Sequence, residues 1–278
     1  MHFVGLDLAW GEKKQTGVAV VATDGRLLHV GAAQDNADIQ AAIAPFTAGD
    51  CVVAIDAPLI VKTASGFRPC ETAFNRAFQK YDAGAYPANT GNPAFNPPRA
   101  EIIAALLGLD TDPASTSNRR AIEVYPHPAA VVLFNLQKTL KYKRGDFAER
   151  QRELLKLMTL IEGLDHQSPR MRVNHNAAWV ELRKRVEAAT RASHLDRDED
   201  PVDAVICAYV ALYSYHRPDD VTIYGDVETG YIVTPSPPSE VIPDRRGSRS
   251  SLENRLIRAM ELLEDAQREL VAIRDALR

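Results

Sequence analysis

The chain has 278 residues, of which 45% are hydrophobic and 25% charged, and its formal net charge at pH 7 is -4. A chain of this length and composition can bury a full core and fits one large domain with an appendage. The net charge argues against binding of a polyanion by the whole surface, although it allows a local basic patch. No apolar run approaches the roughly 18 to 20 residues of a membrane span. The amino terminus also lacks the order of a secretory signal, so we predict a cytoplasmic protein without a membrane partner.

The first predicted strand carries a carboxylate. Residues 2–10 form an apolar run that is interrupted by Asp7, and the turn-forming residues 11–14 and the apolar residues 16–22 complete a predicted hairpin. Residues 26–31 predict a third antiparallel strand. An ionised carboxylate is costly to bury unless it is paired or binds a cation, so Asp7 requires a partner nearby.

Two later strands also deliver acids. Residues 36–46 have the apolar spacing of a helix, and they lead into the apolar run 51–56, which ends in Asp56. A helix at this point permits a parallel crossover between strands. A further apolar run, residues 120–125, contains Glu123. The sequence therefore predicts an α/β protein of βββαβ order in which three strands each supply a carboxylate.

A long insertion separates the second and third acidic strands. We place it at about residues 59–119, because ordinary connections are only about 4 to 6 residues long. Its segment 85–98 is rich in turn formers and aromatic residues, which favours either a substrate-facing loop or a solvated connector. We predict a helix that opens at Pro69, and we predict that Arg68 and Arg76 contact the substrate.

The densest basic run of the chain has the sequence KTLKYKR and surrounds Tyr142. Lysines and arginines with an intervening ring suit phosphates and a stacked base. Lys141 and Lys143 are therefore predicted phosphate ligands. A solvated basic face is the alternative.

An acidic run precedes the last long helix. We predict a loop at residues 196–200 and place Pro201 at the first helical position, which makes Asp200 the N-cap and Asp203 the third helical residue. Acids at these two positions accept hydrogen bonds from free amides and oppose the helix dipole. Capping alone is thus one explanation of both aspartates, and a role in a site is the other.

Five segments carry a family resemblance when they are taken in order. They are residues 5–9 (GLDLA), 55–58 (IDAP), 68–71 (RPCE), 123–128 (EVYPHP) and 200–204 (DPVDA). Together they resemble the bacterial family known as domain of unknown function 429, whose members are described as predicted nucleases of ribonuclease H-like fold. The resemblance covers roughly residues 1–235. It implies a mixed sheet flanked by helices, as in ribonuclease H, Holliday-junction resolvases and transposases.

The resemblance also implies a site for metal-dependent hydrolysis of phosphodiester bonds. Two Mg²⁺ or Mn²⁺ ions roughly 3.5 to 4 Å apart need several carboxylates from separate elements, because hard divalent cations take oxygen ligands. Ribonuclease H-like enzymes place their last metal ligand in the first turn of a late helix, which favours Asp203. The predicted catalytic and metal-binding residues, with Asp7 bridging the two ions, are Asp7, Asp56, Glu123 and Asp203.

The predicted function is a metal-dependent nuclease with nucleic acid as its partner. A scaffold or interaction protein that keeps the fold but has an inert acid cluster is one alternative. Another is an ATP-dependent kinase or ATPase of the actin and sugar-kinase superfamily, which shares this topology. Such an enzyme needs a phosphate turn rich in glycine or hydroxyl residues after the first acid, whereas this chain has the charged turn WGEKKQT.

The carboxyl-terminal part of the chain changes in composition. Two short strands, residues 221–224 and 230–233, are predicted to close the main domain at about residue 235. Residues 236–249 are rich in proline and arginine and predict a stiff linker. Residues 250–278 carry an apolar heptad pattern, which predicts a helix that forms a homodimer or, alternatively, packs on its own domain.

Overall fold

Strands and helices alternate along the described part of the chain, which comprises residues 1–11 and 14–237 of a computed structural model. The strands are β1 (His2–Asp7), β2 (Thr16–Ala22), β3 (Leu27–Ala33), β4 (Cys51–Ile55), β5 (Arg119–Glu123), β6 (Val221–Asp226) and β7 (Gly230–Pro235). The α-helices are α1 (Asn36–Thr47), α2 (Pro69–Phe78), α3 (Arg99–Leu106), α4 (Pro126–Leu133), α5 (Phe147–Glu162), α6 (Ala177–Glu187) and α7 (Ala192–His216). The predicted heptad helix, and all but the first two residues of the linker, lie outside the described residues, so the homodimer stays a prediction.

The main sheet has five strands in the order β3-β2-β1-β4-β5. Strands β1, β2 and β3 pair antiparallel, whereas β1, β4 and β5 are parallel to one another. This arrangement confirms the predicted α/β fold and is consistent with a ribonuclease H-like sheet. No helix among the described residues is long and apolar enough to cross a membrane.

The three parallel strands end at one edge of the sheet. In the register, Leu6 of β1 lies opposite Ile55 of β4, which lies opposite Glu123 of β5. Asp7 and Asp56 follow directly after the first two of these residues. The fold therefore brings the three predicted carboxylates to the same edge.

Helix α7 lies directly against the backbone of the sheet. A Cβ atom on Gly5 would lie 2.0 Å from the carbonyl oxygen of Ala204, and one on Gly17 would lie 2.0 Å from that of Asp200. Only glycine permits this approach. Because α7 is so close, Asp200 and Asp203 lie beside the end of β1.

We expect Gly17→Ala to lower the free energy of unfolding by about 2–3 kcal/mol, because the new methyl group must push helix backbone away from strand backbone. The matched control is Gly49→Ala, where an added Cβ meets no atom within 4 Å, so the change should stay within about 0.5 kcal/mol. Urea denaturation of both variants measures the difference. Equal stabilities would contradict the close packing of α7 on β2.

The start of α7 corrects the prediction for the acidic run. The helix begins at Ala192, so residues 196–200 are helical, Pro201 is inside the helix, and Asp200 and Asp203 are not capping residues. Proline has no N–H group, so the carbonyl of Arg197 loses its usual helical donor. The side chain of Gln15 replaces that donor, with its Nε2 atom 2.6 Å from the Arg197 oxygen.

Helix α2 of the insertion packs on a small second sheet. Strands β6 and β7 pair antiparallel, as predicted, and a bridge between Val124 and Val233 joins this hairpin to the end of β5. Phe74 and Phe78 of α2 pack on Tyr224 of β6. The start of α2 is therefore held next to the acidic edge of the main sheet.

Candidate active site

A lysine lies among three of the aspartates. The Nζ atom of Lys143 is 2.7 Å from Oδ2 of Asp203, 3.1 Å from Oδ2 of Asp7 and 3.6 Å from Oδ1 of Asp200. Asp203 is fully buried, with 0% of its surface exposed. Lys143 comes from the segment between α4 and α5, so three separate parts of the chain meet here. The sequence predicts that Lys143 binds phosphate, whereas in this structure its ammonium group forms ion pairs with carboxylates.

Asp56 adds a fourth carboxylate to this group, which we call the aspartate cluster: Asp7, Asp56, Asp200 and Asp203. Asp56 forms no ion pair with any basic group in the described structure. Burial raises the pKa of Asp56 well above its usual value, and the charge of Asp7 raises it further. Burial likewise raises the pKa of Asp7 against the opposing effect of Lys143, and it raises that of Asp200 to about 8. The cluster therefore has more carboxyl groups than Lys143 pairs with, and the raised pKa values keep some of them protonated near neutral pH.

Glu123 is turned away from the cluster towards Arg68. Its Oε1 atom accepts a hydrogen bond of 2.5 Å from Nη2 of Arg68, and its Oε2 atom accepts one of 3.0 Å from Nη1 and one of 2.9 Å from the backbone N–H of Leu59. Nε of Arg68 also donates to Glu71 at 2.8 Å. Arg68, only 1% exposed, is thus engaged by protein groups. Glu123 and Arg68 are therefore paired with each other in this structure. Metal binding by Glu123 and substrate binding by Arg68 stay predictions.

Tyr142 is predicted to stack on a base, and this prediction is wrong. Its side chain is only 2% exposed and packs inside the fold. Its hydroxyl group donates to Oδ1 of Asp203 at 2.5 Å and lies 3.2 Å from Nδ1 of His127. Since the single hydroxyl proton goes to Asp203, Nδ1 of His127 is assigned as the donor in the second contact. Burial and then Lys143 lower the pKa of His127 to about 3. The imidazole is therefore neutral, and its Nε2 atom keeps a free lone pair.

The other two predicted substrate residues, Lys141 and Arg76, are both exposed. Lys141 lines a cavity next to the cluster. Arg76 lies on the outer face of α2 and lines neither of the two cavities at the site. Sequence reasoning missed Asp200 as a cluster member, since its position before Pro201 had the appearance of an N-cap.

The donor set of the cluster suits a divalent cation. Carboxylate oxygens are the ligands that Mg²⁺ and Mn²⁺ take. The buried Oδ2 atom of Asp203 receives no hydrogen bond of good geometry, although Lys143 Nζ is only 2.7 Å away. Within residues 1–11 and 14–237, however, no three His, Cys, Asp or Glu side chains are arranged around one point as metal ligands are. The ammonium group of Lys143 lies among these carboxylates, so a cation held by the same oxygens would have to displace it.

The fold and the site together define an α/β protein with a mixed sheet of ribonuclease H-like arrangement and an aspartate cluster at the carboxyl edge of its parallel strands. A family model described as "Protein of unknown function (DUF429)" matches residues 5–229, and the chain belongs to this family. The matched range contains the whole cluster together with Lys143 and Arg68. Searches of curated proteins and of solved structures give no match.

Proposed function

We propose that this protein is a divalent-metal-dependent phosphodiesterase that hydrolyses nucleic acid. One observation carries the proposal: the four carboxyl groups of the aspartate cluster meet at the edge of a sheet, and Lys143 forms ion pairs with three of them. Two of them, Asp7 and Asp56, line an open cavity of about 270 Å³. Buried acids in such excess are costly for a fold, and perturbed carboxylates in a cleft are typical of functional sites.

Each residue near the cluster has a role in this proposal. Asp7, Asp56, Asp200 and Asp203 would hold the cations, and Glu123 would position Arg68. When bound, Mg²⁺ or Mn²⁺ supplies acidity to a water molecule and stabilises a leaving oxygen. Lys143, once released from the carboxylates, is placed to bind a phosphate oxygen at the same cavity. The Nε2 lone pair of His127 would accept a hydrogen bond at this cavity.

A second candidate is a binding protein without catalytic activity, in line with the scaffold alternative. It is favoured by the position of Lys143, whose ammonium group already fills the centre of the cluster. In such a protein the lysine is a permanent counter-ion, and divalent metal has no place to bind. Metal titration separates the two candidates.

We expect saturating Mn²⁺ to raise the melting temperature of the metal-stripped full-length chain by about 5 °C, since a ligand at 100 times its Kd adds about 2.7 kcal/mol of stability. Asp7→Asn should abolish that rise while leaving the metal-free fold intact. The matched control is Asp50→Asn, which alters an exposed aspartate before β4, at the opposite end of the strand from Asp56. Differential scanning calorimetry with and without metal measures all three proteins.

The same preparations are then incubated with single-stranded, double-stranded, hybrid and branched nucleic acids. Metal-dependent cleavage that Asp7→Asn removes supports the proposal. A parent protein and an Asp7→Asn variant that respond equally to Mn²⁺ would contradict it, and a parent protein that neither binds metal nor cleaves any substrate would favour the binding protein. Metal binding without cleavage of any substrate would also contradict the hydrolase. A reaction that needs ATP would instead favour the kinase alternative.

A further inference from the structure

Two cavities lie side by side at the site and carry opposite charge. The first, of about 270 Å³, contains the acidic edge with Asp7, Asp56 and Glu123. The second, of about 430 Å³, is lined by Lys141, Lys143 and Arg144 and by one acid, Asp82. Asp82 forms an ion pair of 3.2 Å with Lys138, which offsets its charge. The residues that line both cavities are Tyr86, Tyr125, His127 and Lys143.

Exposed aromatic rings stand at the edges of these cavities. Tyr86 is 57% exposed and belongs to the walls of both, while Trp10 is 54% exposed and belongs to the wall of the first. The guanidinium group of Arg144 lies 5.8 Å from the centre of the Tyr86 ring and donates to its hydroxyl oxygen at 2.7 Å. The rings of Trp10 and Phe95 pack edge to face, with 5.1 Å between ring centres. Both rings are thus held in place while a large part of each remains open to solvent.

We propose that the joined cavities bind single-stranded nucleic acid, with bases stacked on Tyr86 and Trp10 and backbone phosphates on Lys141 and Arg144. This inference rests on the proposed function and names the substrate class of the same site. A base can stack on a side-chain ring only when its own faces are free, as they are in a single strand but not inside a duplex. Aromatic platforms beside a cationic groove are the combination by which proteins bind single strands without sequence preference.

The arrangement also gives the strand a path to the acids. Phosphates that follow the cationic cavity reach Lys143, which lines both cavities and contacts Asp7 and Asp203. A strand whose base rests on Tyr86 therefore places a neighbouring phosphate near the aspartate cluster. A duplex has no free base face for Tyr86. A mononucleotide has only one base, so it can stack on Tyr86 or on Trp10 but not on both.

The test is equilibrium binding to the full-length chain in EDTA, where no hydrolysis occurs. The probes are fluorescent oligo(dT) and oligo(U) of about 12 nucleotides and a duplex of the same length, measured by anisotropy at about 50 mM salt. We expect both single strands to bind at least about tenfold more tightly than the duplex. Tyr86→Ala should weaken single-strand binding by about tenfold, whereas Tyr86→Phe, which keeps the stacking ring, should bind like the parent.

Charge and aromaticity are tested by separate variants. Arg144→Gln should weaken binding and reduce the slope of log affinity against log salt by about 0.7, the value for one lost phosphate contact on a single strand. The matched controls are Tyr215→Ala and Arg152→Gln, which alter an exposed ring at the end of α7 and an exposed arginine on α5. Neither control residue lines the two cavities, so neither should change binding.

Three results would overturn the inference. They are duplex binding as tight as that of the single strands, a Tyr86→Ala variant that binds like Tyr215→Ala, and a mononucleotide that competes as strongly as the oligonucleotide. Tight single-strand binding without cleavage in Mn²⁺ would instead refute the hydrolase and leave the binding site intact. Cleavage confined to duplexes would keep the hydrolase and refute the single-strand site. Stronger binding of oligo(dT) or of oligo(U) tells which nucleic acid is preferred.

Discussion

Arg68→Met is expected to lower the free energy of unfolding by about 3–5 kcal/mol, because removal of one partner from a buried ion pair leaves uncompensated charge in the core. Arg68 is 1% exposed and donates to Glu71, Glu123 and the backbone oxygen of Ile60. Both glutamates are themselves buried. A loss of this size is a large part of the roughly 5–15 kcal/mol that stabilises an ordinary domain.

Chemical denaturation of purified protein measures this change, and Lys138→Met is its control. Lys138 and Asp82 also form an ion pair, but both side chains are about half exposed, and such surface pairs contribute at most about 1 kcal/mol. Adding Glu71→Gln and Glu123→Gln to Arg68→Met should restore part of the stability, because the buried negative charges are then gone. If Arg68→Met proves no more harmful than Lys138→Met, the charge balance described for Arg68 is wrong.

Asp203→Asn is expected to reduce metal-dependent cleavage by roughly 10³-fold while the protein stays folded. The amide has nearly the size of the carboxylate and still accepts a hydrogen bond from Tyr142, but it lacks the negative charge that faces Lys143. Capping no longer explains this aspartate, since it lies well inside α7. Its buried charge is balanced by the ion pair with Lys143, and in the proposed function the same carboxylate would bind the metal.

Asp198→Asn on the same helix is the matched control for this variant. Asp198 is also buried, but it pairs with Arg185 and not with Lys143. Its replacement should leave the rate of cleavage per folded molecule unchanged. Kinetic assays on both variants, with the folded fraction taken from circular dichroism, give the comparison. Equal rates in the two variants would make Asp203 a structural residue only.

Much of the sheet was predictable from local pattern. The apolar runs that contain Asp7 and Asp56 form buried strands that end at or just before these residues, and the helix between them gives the parallel crossover that the structure has. Acids at the carboxyl ends of parallel strands meet at one edge as a matter of geometry. The position of Asp7 and Asp56 in one cavity therefore follows from strand order alone.

Other parts of the site depend on contacts that no local pattern contains. The helix passes through Pro201 because Gln15, separated by 182 residues from Arg197, takes over the free carbonyl group. Likewise, Glu123 is occupied by Arg68, 55 residues earlier in the chain. A pattern of acids and bases shows which charges are present, but only tertiary packing decides which of them pair.

Under the proposed function, the unequal charges of the two joined cavities would couple the binding of metal to the binding of substrate. A phosphate that moves from the side of Lys141 and Arg144 towards Asp7 and Asp56 leaves basic groups for acidic ones, which repel it where they are ionised. A divalent cation among the aspartates would supply positive charge at that point. Metal and substrate would then raise each other's affinity by the same factor, because linkage between two binding equilibria is reciprocal. An affinity for oligonucleotide measured in EDTA would therefore report binding to the joined cavities without metal, and its increase on addition of metal would give the coupling free energy between metal and oligonucleotide.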